Sequence, residues 1–236
     1  MKMANTVYDS TATRSDRWYR DRIEYMAEFM MPERLENFGK VLETRTRWIT
    51  ICCENTFHTQ NASALIRTCE AFGLQDIHAI ETLCKFKPNV NIVRGTDKWI
   101  DLKRHKSPAE AIAAMRAAGY RIIATTPHAD DSTPLDFDIA AGPAALVFGT
   151  EHAGISQEII AAADGFVKIP MCGFVESLNV SASAAILLYN LTEKMRSDPS
   201  IPWRLEESEK TRLLFKWIMS SVRDSKTILA RRFPEM

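Results

Sequence analysis

The pattern of apolar and polar positions changes near residue 47 of the chain. Before this point, charged residues alternate with apolar ones at helical spacing, and Pro32 interrupts the pattern. This predicts two short amphipathic helices within 14–46. Beyond it, short apolar runs rich in β-branched residues alternate with segments of helical spacing. The chain is therefore expected to change there from helices alone to alternating strands and helices.

The alternating part of the sequence gives a definite set of elements. The predicted strands are 48–55, 76–81, 121–126, 144–149 and 165–171. The predicted helices are 62–73, 107–120, 156–164 and 179–196. After Pro199 and Pro202, the pattern predicts a terminal amphipathic helix or a pair of helices over 206–233.

This alternation predicts the fold class. Strands that are almost entirely apolar and alternate with helices are typical of a mostly parallel sheet with helices on both faces. We therefore predict an α/β domain at 47–197. It is preceded by a partly disordered helical extension at 1–46 and followed by a helical extension at 198–236.

The composition narrows the class of protein. The chain has 236 residues, with 30 basic and 30 acidic side chains, so its overall charge points neither to nucleic acid nor to a membrane. No stretch approaches the roughly 20 apolar residues of a membrane helix. The five cysteines are odd in number and form no CxxC pair, which predicts free thiols in a reducing cytoplasm. The five histidines show no ligand spacing, so no structural zinc is expected.

Polar residues follow three of the predicted strands. Open parallel sheets bind ligands where the carboxyl ends of their strands meet. The first loop, "TQNASALIRTCEAFG", carries Asn61 near a helix start and Arg67 within that helix. Taken alone, Asn61 is explained as an N-cap and Arg67 as a solvated surface charge.

The other two loops carry glycines and small polar residues. In "LVFGTEHAG", Gly149 and Gly154 bracket Glu151, which fits close backbone approach to a ligand or a simple turn. In "VKIPMCGFVESLNVSASAA", Ser177 or Asn179 can cap the following helix. The chain has no GxGxxG, GxxxxGK[ST] or GxSxG pattern, which disfavours a dinucleotide site, a P-loop and a hydrolase elbow.

In this order and spacing, the three loops resemble the three sequence motifs of the SpoU (TrmH-type) RNA ribose 2'-O-methyltransferases of the SPOUT superfamily. The resemblance covers about 47–196. It implies a fold with a C-terminal deep trefoil knot, which helix and strand periodicity does not predict. It also implies a homodimer whose sites are completed across the interface, and S-adenosylmethionine bound between the second and third loops.

The resemblance also implies roles for individual residues. The implied cofactor contacts are Thr126, Gly149, Gly154, Ile169, Met171 and Leu178. The implied catalytic residue is Arg67, supported by Asn61, Glu151, Ser177 and Asn179. Because a guanidinium rarely loses its proton, we expect Arg67 to bind a phosphate or the developing oxyanion, and the proton acceptor stays open.

The sequence departs from close relatives at two places. Gln60 precedes Asn61, where relatives often have His. The segment "VRGTDKW" replaces a loop rich in Gly and Ser, and Arg94 adds a charge there. The second change is the one expected to alter contacts with RNA.

One segment is locally basic within the neutral chain. Residues 85–106 carry seven Lys or Arg against two Asp. The predicted RNA contacts are Arg94, Lys98, Lys103, Arg104 and Lys106. A solvated charged face is the alternative explanation.

The terminal extensions guide the prediction of the substrate. Helical extensions resemble those of tRNA-modifying members, whereas several rRNA-modifying members carry an N-terminal α/β domain that the segment before residue 47 cannot supply. We therefore expect methylation of a tRNA D-loop guanosine. The alternatives are the same chemistry on rRNA or another tRNA nucleotide, and a non-catalytic knotted RNA-binding factor.

Overall fold

The computed structural model describes residues 14–126, 131–150 and 153–234. Its contacts divide the chain into two compact units. One unit is Thr44–Arg204, and the other combines Met1–Glu43 with Leu205–Met236.

The helices and strands follow one another in this chain order: α1 Asp16–Ala27, α2 Pro32–Leu42, β1 Ile49–Glu54, α3 Thr59–Ala71, β2 Asp76–Ile80, α4 Val90–Val93, a 3-10 turn at Thr96–Lys98, β3 Asp101–His105, α5 Pro108–Ala117, β4 Arg121–Thr125, β5 Ala144–Phe148, α6 Gln157–Ala162, β6 Gly165–Val167, α7 Val180–Ser197, α8 Glu207–Ser221 and α9 Ser225–Arg232. Pro32 occupies the first turn of α2, where its missing N–H costs no hydrogen bond.

The six strands form one parallel sheet in the order β3-β2-β1-β5-β4-β6. Successive residues of a strand face opposite sides of the sheet. In β1, Ile51 packs in a core cluster with residues of α3 and α7, and Cys52 packs in a second cluster with residues of α5 and α6. Helices therefore cover both faces, which confirms the predicted α/β fold.

The orientation of the strands places four loops at one edge of the sheet. β1 pairs with β5, β5 with β4, and β4 with β6, all in parallel. The segments that follow β1, β4, β5 and β6 therefore leave the sheet on the same side. These segments contain the polar and glycine residues that the sequence singled out.

Two of the strands differ from the prediction, and the short helix α4 and the 3-10 turn were not predicted. Strand β3 lies at the sheet edge and was missed, because three of its five residues are the charged Asp101, Lys103 and Arg104. Charged side chains are common on edge strands, which pair on one side only. The predicted strand 165–171 extends only over Gly165–Val167, and the rest of it is irregular.

A buried histidine pair joins β2 to β3. The Nδ1 atom of His78 lies 2.9 Å from the Nε2 atom of His105, and both side chains are buried. Burial, and secondarily the charge of Lys103, lowers the pKa of His78 from 6.5 to about 4. Burial likewise lowers the pKa of His105.

We expect this pair to make the protein acid-sensitive. Between pH 6.5 and about 4, the unfolded chain binds a proton at residue 78 that the folded chain does not bind, so the free energy of unfolding falls with pH. The loss is up to about 3 kcal/mol, at roughly 1.4 kcal/mol per pKa unit. Denaturant titrations at several pH values measure it. In the variant His78→Phe, the free energy of unfolding should depend less on pH. An unchanged pH dependence would contradict the assignment of the acid sensitivity to His78.

The second unit is a group of helices held by aromatic contacts. The Trp18 ring of α1 packs edge-on to Phe215 of α8, with centroids 5.6 Å apart. The guanidinium of Arg22 lies 3.8 Å from the Trp18 centroid and 4.2 Å from that of Phe233. Cation–π contacts of this kind hold a charge in an apolar setting. The terminal segment, predicted as one helix or two, is the pair α8 and α9.

Residues 14–126, 131–150 and 153–234 contain neither a helix fit to span a membrane nor a cluster of metal-ligating side chains. In those residues, no helix combines the length and apolar character that crossing a bilayer requires. The same residues contain no cluster of three or more His, Cys, Asp or Glu side chains arranged to hold a metal ion. All five cysteines are free thiols, and burial raises the pKa of Cys53 to about 12.

Candidate functional site

A cavity of about 530 Å³ opens at the carboxyl ends of β4, β5 and β6. We call it the larger cavity. Its lining includes all six residues predicted to contact a cofactor: Thr126, Gly149, Gly154, Ile169, Met171 and Leu178. These come from three separate loops, which the parallel sheet brings to one place.

Position 149, in the lining of the larger cavity, requires glycine. A Cβ atom on Gly149 would overlap the backbone C and O atoms of Gly154 and the backbone N of Ile155. The loop is closed by two backbone bonds, Thr150 N–H to Gly154 O at 2.9 Å and Gly154 N–H to Thr150 O at 3.1 Å. Gly154 has a φ of +67°, which favours glycine. Glu151, predicted as a supporting catalytic residue, lies outside the described residues.

The third loop is joined to the first by a pair of asparagines. The Asn179 Oδ1 atom accepts a bond from Ser181 N–H at 2.8 Å and so caps α7, as one explanation of the sequence expected. Its Nδ2 atom donates to Asn61 Oδ1 at 3.0 Å. The N-cap explanation of Asn61 is wrong, because α3 begins at Thr59 with His58 at the cap position. Asn61 is instead buried in the first turn of the helix.

Ser177 and Asn179 line the larger cavity, but Arg67 does not. Arg67 is exposed on α3, and its Nη1 atom donates to the carbonyl of Ile92 in α4 at 3.1 Å. Its role in chemistry stays a prediction.

A smaller cavity, of about 310 Å³, adjoins the larger one. Its lining residues are Asn55, Thr56, Phe57, His58, Asn61, Gly149, Thr150 and Val180. Gly149, Thr150 and Val180 line both cavities. No pattern in the sequence predicted this cavity, although the segment 55–58 directly follows β1 at the ligand-binding edge of the sheet.

The predicted RNA contacts divide into two groups. Lys103 lies 3.0 Å from the Asp76 carboxylate, and Arg104 pairs with Glu81. Three others are exposed and form no ion pair within 14–126, 131–150 and 153–234: Arg94, Lys98 and Lys106. The second group has its charge available for a phosphate.

Sequence comparison connects these loops to known enzymes. The sequence profile of the SpoU rRNA Methylase family matches residues 49–189. A protein of Borreliella burgdorferi named tRNA (guanosine(18)-2'-O)-methyltransferase is 38% identical over 203 residues, which are 86% of this chain and 92% of that protein. The match spans all three loops.

Solved structures share the fold. The A. aeolicus TrmH/SpoU tRNA modifying enzyme superposes with a TM-score of 0.71 at 29% identity, over 81% of this chain and 98% of that one. The SpoU methyltransferase AviRb from Streptomyces viridochromogenes, solved in complex with the cofactor AdoMet, gives a TM-score of 0.55 at 27% identity, over 67% and 62% of the two chains.

Proposed function

Because the chain belongs to the SpoU rRNA Methylase family, we propose that it transfers a methyl group from S-adenosylmethionine to the ribose 2'-hydroxyl of a guanosine in tRNA. The observation that carries the proposal is the larger cavity, where the residues of three loops meet at the ligand-binding edge of the sheet. The relative from B. burgdorferi, named for guanosine 18, supports the choice of tRNA.

The residues of the larger cavity fit this cofactor. Ile169, Met171 and Leu178 give an apolar surface suited to a flat adenine ring. The closed loop at Gly149 lets backbone atoms approach a ligand that a side chain would keep away. When bound, S-adenosylmethionine supplies a methyl group already activated by a sulfonium.

The remaining work of the protein is to place the acceptor hydroxyl and to stabilise its developing charge. Asn61 and Asn179 connect the first and third loops through their 3.0 Å hydrogen bond. We assign Arg67 to the phosphate or the oxyanion on the RNA side, with its guanidinium protonated throughout. Ser177, at the cavity wall, is a supporting residue in this assignment.

We also propose a knotted homodimer. Arg67 does not line the larger cavity of its own chain, which is consistent with a second copy supplying this residue. α7 exposes Ile186 and Tyr189, which are 37% and 58% accessible, and exposed apolar side chains on one helix favour a protein contact. The trefoil knot follows from the family resemblance.

We propose a cytoplasmic location for the protein. A tRNA substrate and free thiols both agree with this location.

Three basic residues are expected to bind RNA phosphates. The triple variant Arg94→Ala, Lys98→Ala, Lys106→Ala should weaken tRNA binding and reduce the slope of log K against log salt by about 1 for each lost contact. Binding measured between 50 and 200 mM salt, about the range in which such contacts matter, provides the slope. An unchanged slope would identify these residues as a solvated face.

The pair Lys103 and Arg104 serves as the comparison. Their carboxylate partners already neutralise them in part, so the double variant Lys103→Ala, Arg104→Ala should change the salt slope less than the triple variant. A larger change in the double variant would assign the RNA contact to β3 instead. Their prediction as RNA contacts thus has a direct test.

The test of the function is methyl transfer from labelled S-adenosylmethionine to unmodified tRNA and, separately, to rRNA. Product on tRNA alone is the expected result. Product on rRNA alone would support the proposed methyl transfer but contradict tRNA as the substrate. Binding of S-adenosylhomocysteine, seen as a rise in melting temperature, without product on either RNA would favour the non-catalytic alternative.

A further inference from the structure

We propose that the smaller cavity receives the target nucleoside of the RNA, with its base stacked on Phe57. The proposal rests on the function proposed above and goes further, because it assigns the acceptor subsite and a residue that reads the base. No part of the family comparison assigns a role to Phe57.

The position of the smaller cavity suits an acceptor. Methyl transfer requires the acceptor oxygen and the donor methyl to meet in line at about 3 Å. The two cavities share Gly149, Thr150 and Val180 in their linings, so they adjoin each other at these residues. Asn61, which is bonded to Asn179 of the larger cavity, lines the smaller one.

The backbone conformation of Asn55 sets the direction of the segment that contains Phe57. Asn55 has a φ of +49°, a left-handed conformation that asparagine tolerates better than most residues. Two bonds hold it there: its N–H donates to Ile80 O at 2.9 Å, and its Oδ1 accepts from Leu83 N–H at 2.7 Å. Asn55 is therefore a positioning residue, which turns the chain sharply after β1 and directs 56–58 along the cavity.

The chemistry of Phe57 favours a nucleobase. Its side chain is 53% exposed at the cavity wall, although it is large and apolar. Enzymes and binding proteins that act on single nucleotides of RNA take the base out of its stack and place it on an aromatic side chain. Stacking of this kind makes the ribose of the same nucleotide accessible, which is what transfer to a 2'-hydroxyl needs.

The test combines a protein variant with a substrate variant. In Phe57→Ala, kcat/KM for tRNA should fall about 5- to 150-fold, the range measured for loss of one stacked base. Phe57→Leu should behave like Phe57→Ala, whereas Phe57→Tyr should retain activity because its ring still stacks. The dissociation constant for S-adenosylhomocysteine should not change in any of them. Phe29→Ala, at a phenylalanine of similar exposure (46%) in the other unit, is the matched control.

The second arm uses tRNA with an abasic ribose in place of guanosine 18, the position in the name of the relative. If Phe57 stacks on that base, wild type and Phe57→Ala should methylate the abasic tRNA at equal rates, since the contact is already absent. An equal loss on both tRNAs, or no loss on either, would overturn the stacking assignment. A wild-type protein that methylates no tRNA would instead contradict the proposed function. It would also remove the basis for assigning the smaller cavity to the target nucleoside.

Discussion

Replacement of Arg67 by alanine is expected to lower methyl transfer to tRNA at least about 100-fold, the usual cost of removing one group that stabilises developing charge. The dissociation constant for S-adenosylhomocysteine should stay almost unchanged, because Arg67 does not line the larger cavity. Folding should be little affected, since within the described residues the exposed side chain makes one hydrogen bond, to Ile92 O. Single-turnover kinetics together with calorimetric titration measure both quantities.

Two further variants define what Arg67 contributes. Arg67→Lys keeps the charge but loses the planar fork, so partial activity would indicate a simple charge and near-complete loss a bidentate contact. Arg212→Ala removes an exposed arginine of α8 and should leave transfer unchanged. Wild-type turnover in Arg67→Ala would remove Arg67 from the mechanism.

The second large effect is expected at Gly149. In Gly149→Ala, the new methyl group would overlap backbone atoms of Gly154 and Ile155, and backbone cannot move aside as a flexible side chain can. The backbone around Gly149, which lines both cavities, must therefore shift. We expect the dissociation constant for S-adenosylhomocysteine to rise at least about 10-fold, and the free energy of unfolding to fall by about 1–3 kcal/mol.

Gly173→Ala is the matched control for Gly149→Ala. No atom lies within 4 Å of a Cβ built at Gly173, and its backbone needs no positive φ, so the same substitution there should change neither affinity nor stability appreciably. Tight cofactor binding in Gly149→Ala would show that the loop between β5 and α6 can adapt, and that the close approach at Gly149 is not required.

Much of the site follows from the sequence because a parallel sheet orders its loops. Once the strands before Asn61, Gly149 and Ile169 are recognised, their shared direction brings the following loops to one edge. The glycine at 149 also indicated close backbone approach, and the structure gives the reason in the contact with Gly154. From the sequence, the proposed knot and the proposed dimer are implied only by the family resemblance, since helix and strand periodicity contains no information about threading or a second copy.

Other features could not be predicted because they depend on residues far apart in the chain. Asn61 and Asn179 are 118 positions apart, and only the folded chain shows that they bond to each other. In the sequence, Lys103 and Arg104 belong to a basic segment. In the structure, the pairing of β2 with β3 brings Asp76 next to Lys103 and Glu81 next to Arg104. The smaller cavity depends on the left-handed backbone at Asn55, which no local pattern signals.

The most direct test of the central claim uses two tRNA transcripts that differ in one oxygen atom. One carries ordinary guanosine at position 18, the position named for the B. burgdorferi relative, and the other carries 2'-deoxyguanosine there. With labelled S-adenosylmethionine, we expect the first to yield 2'-O-methylguanosine on nucleoside analysis and the second to take up no label. Equal labelling of both transcripts would contradict transfer to that 2'-hydroxyl.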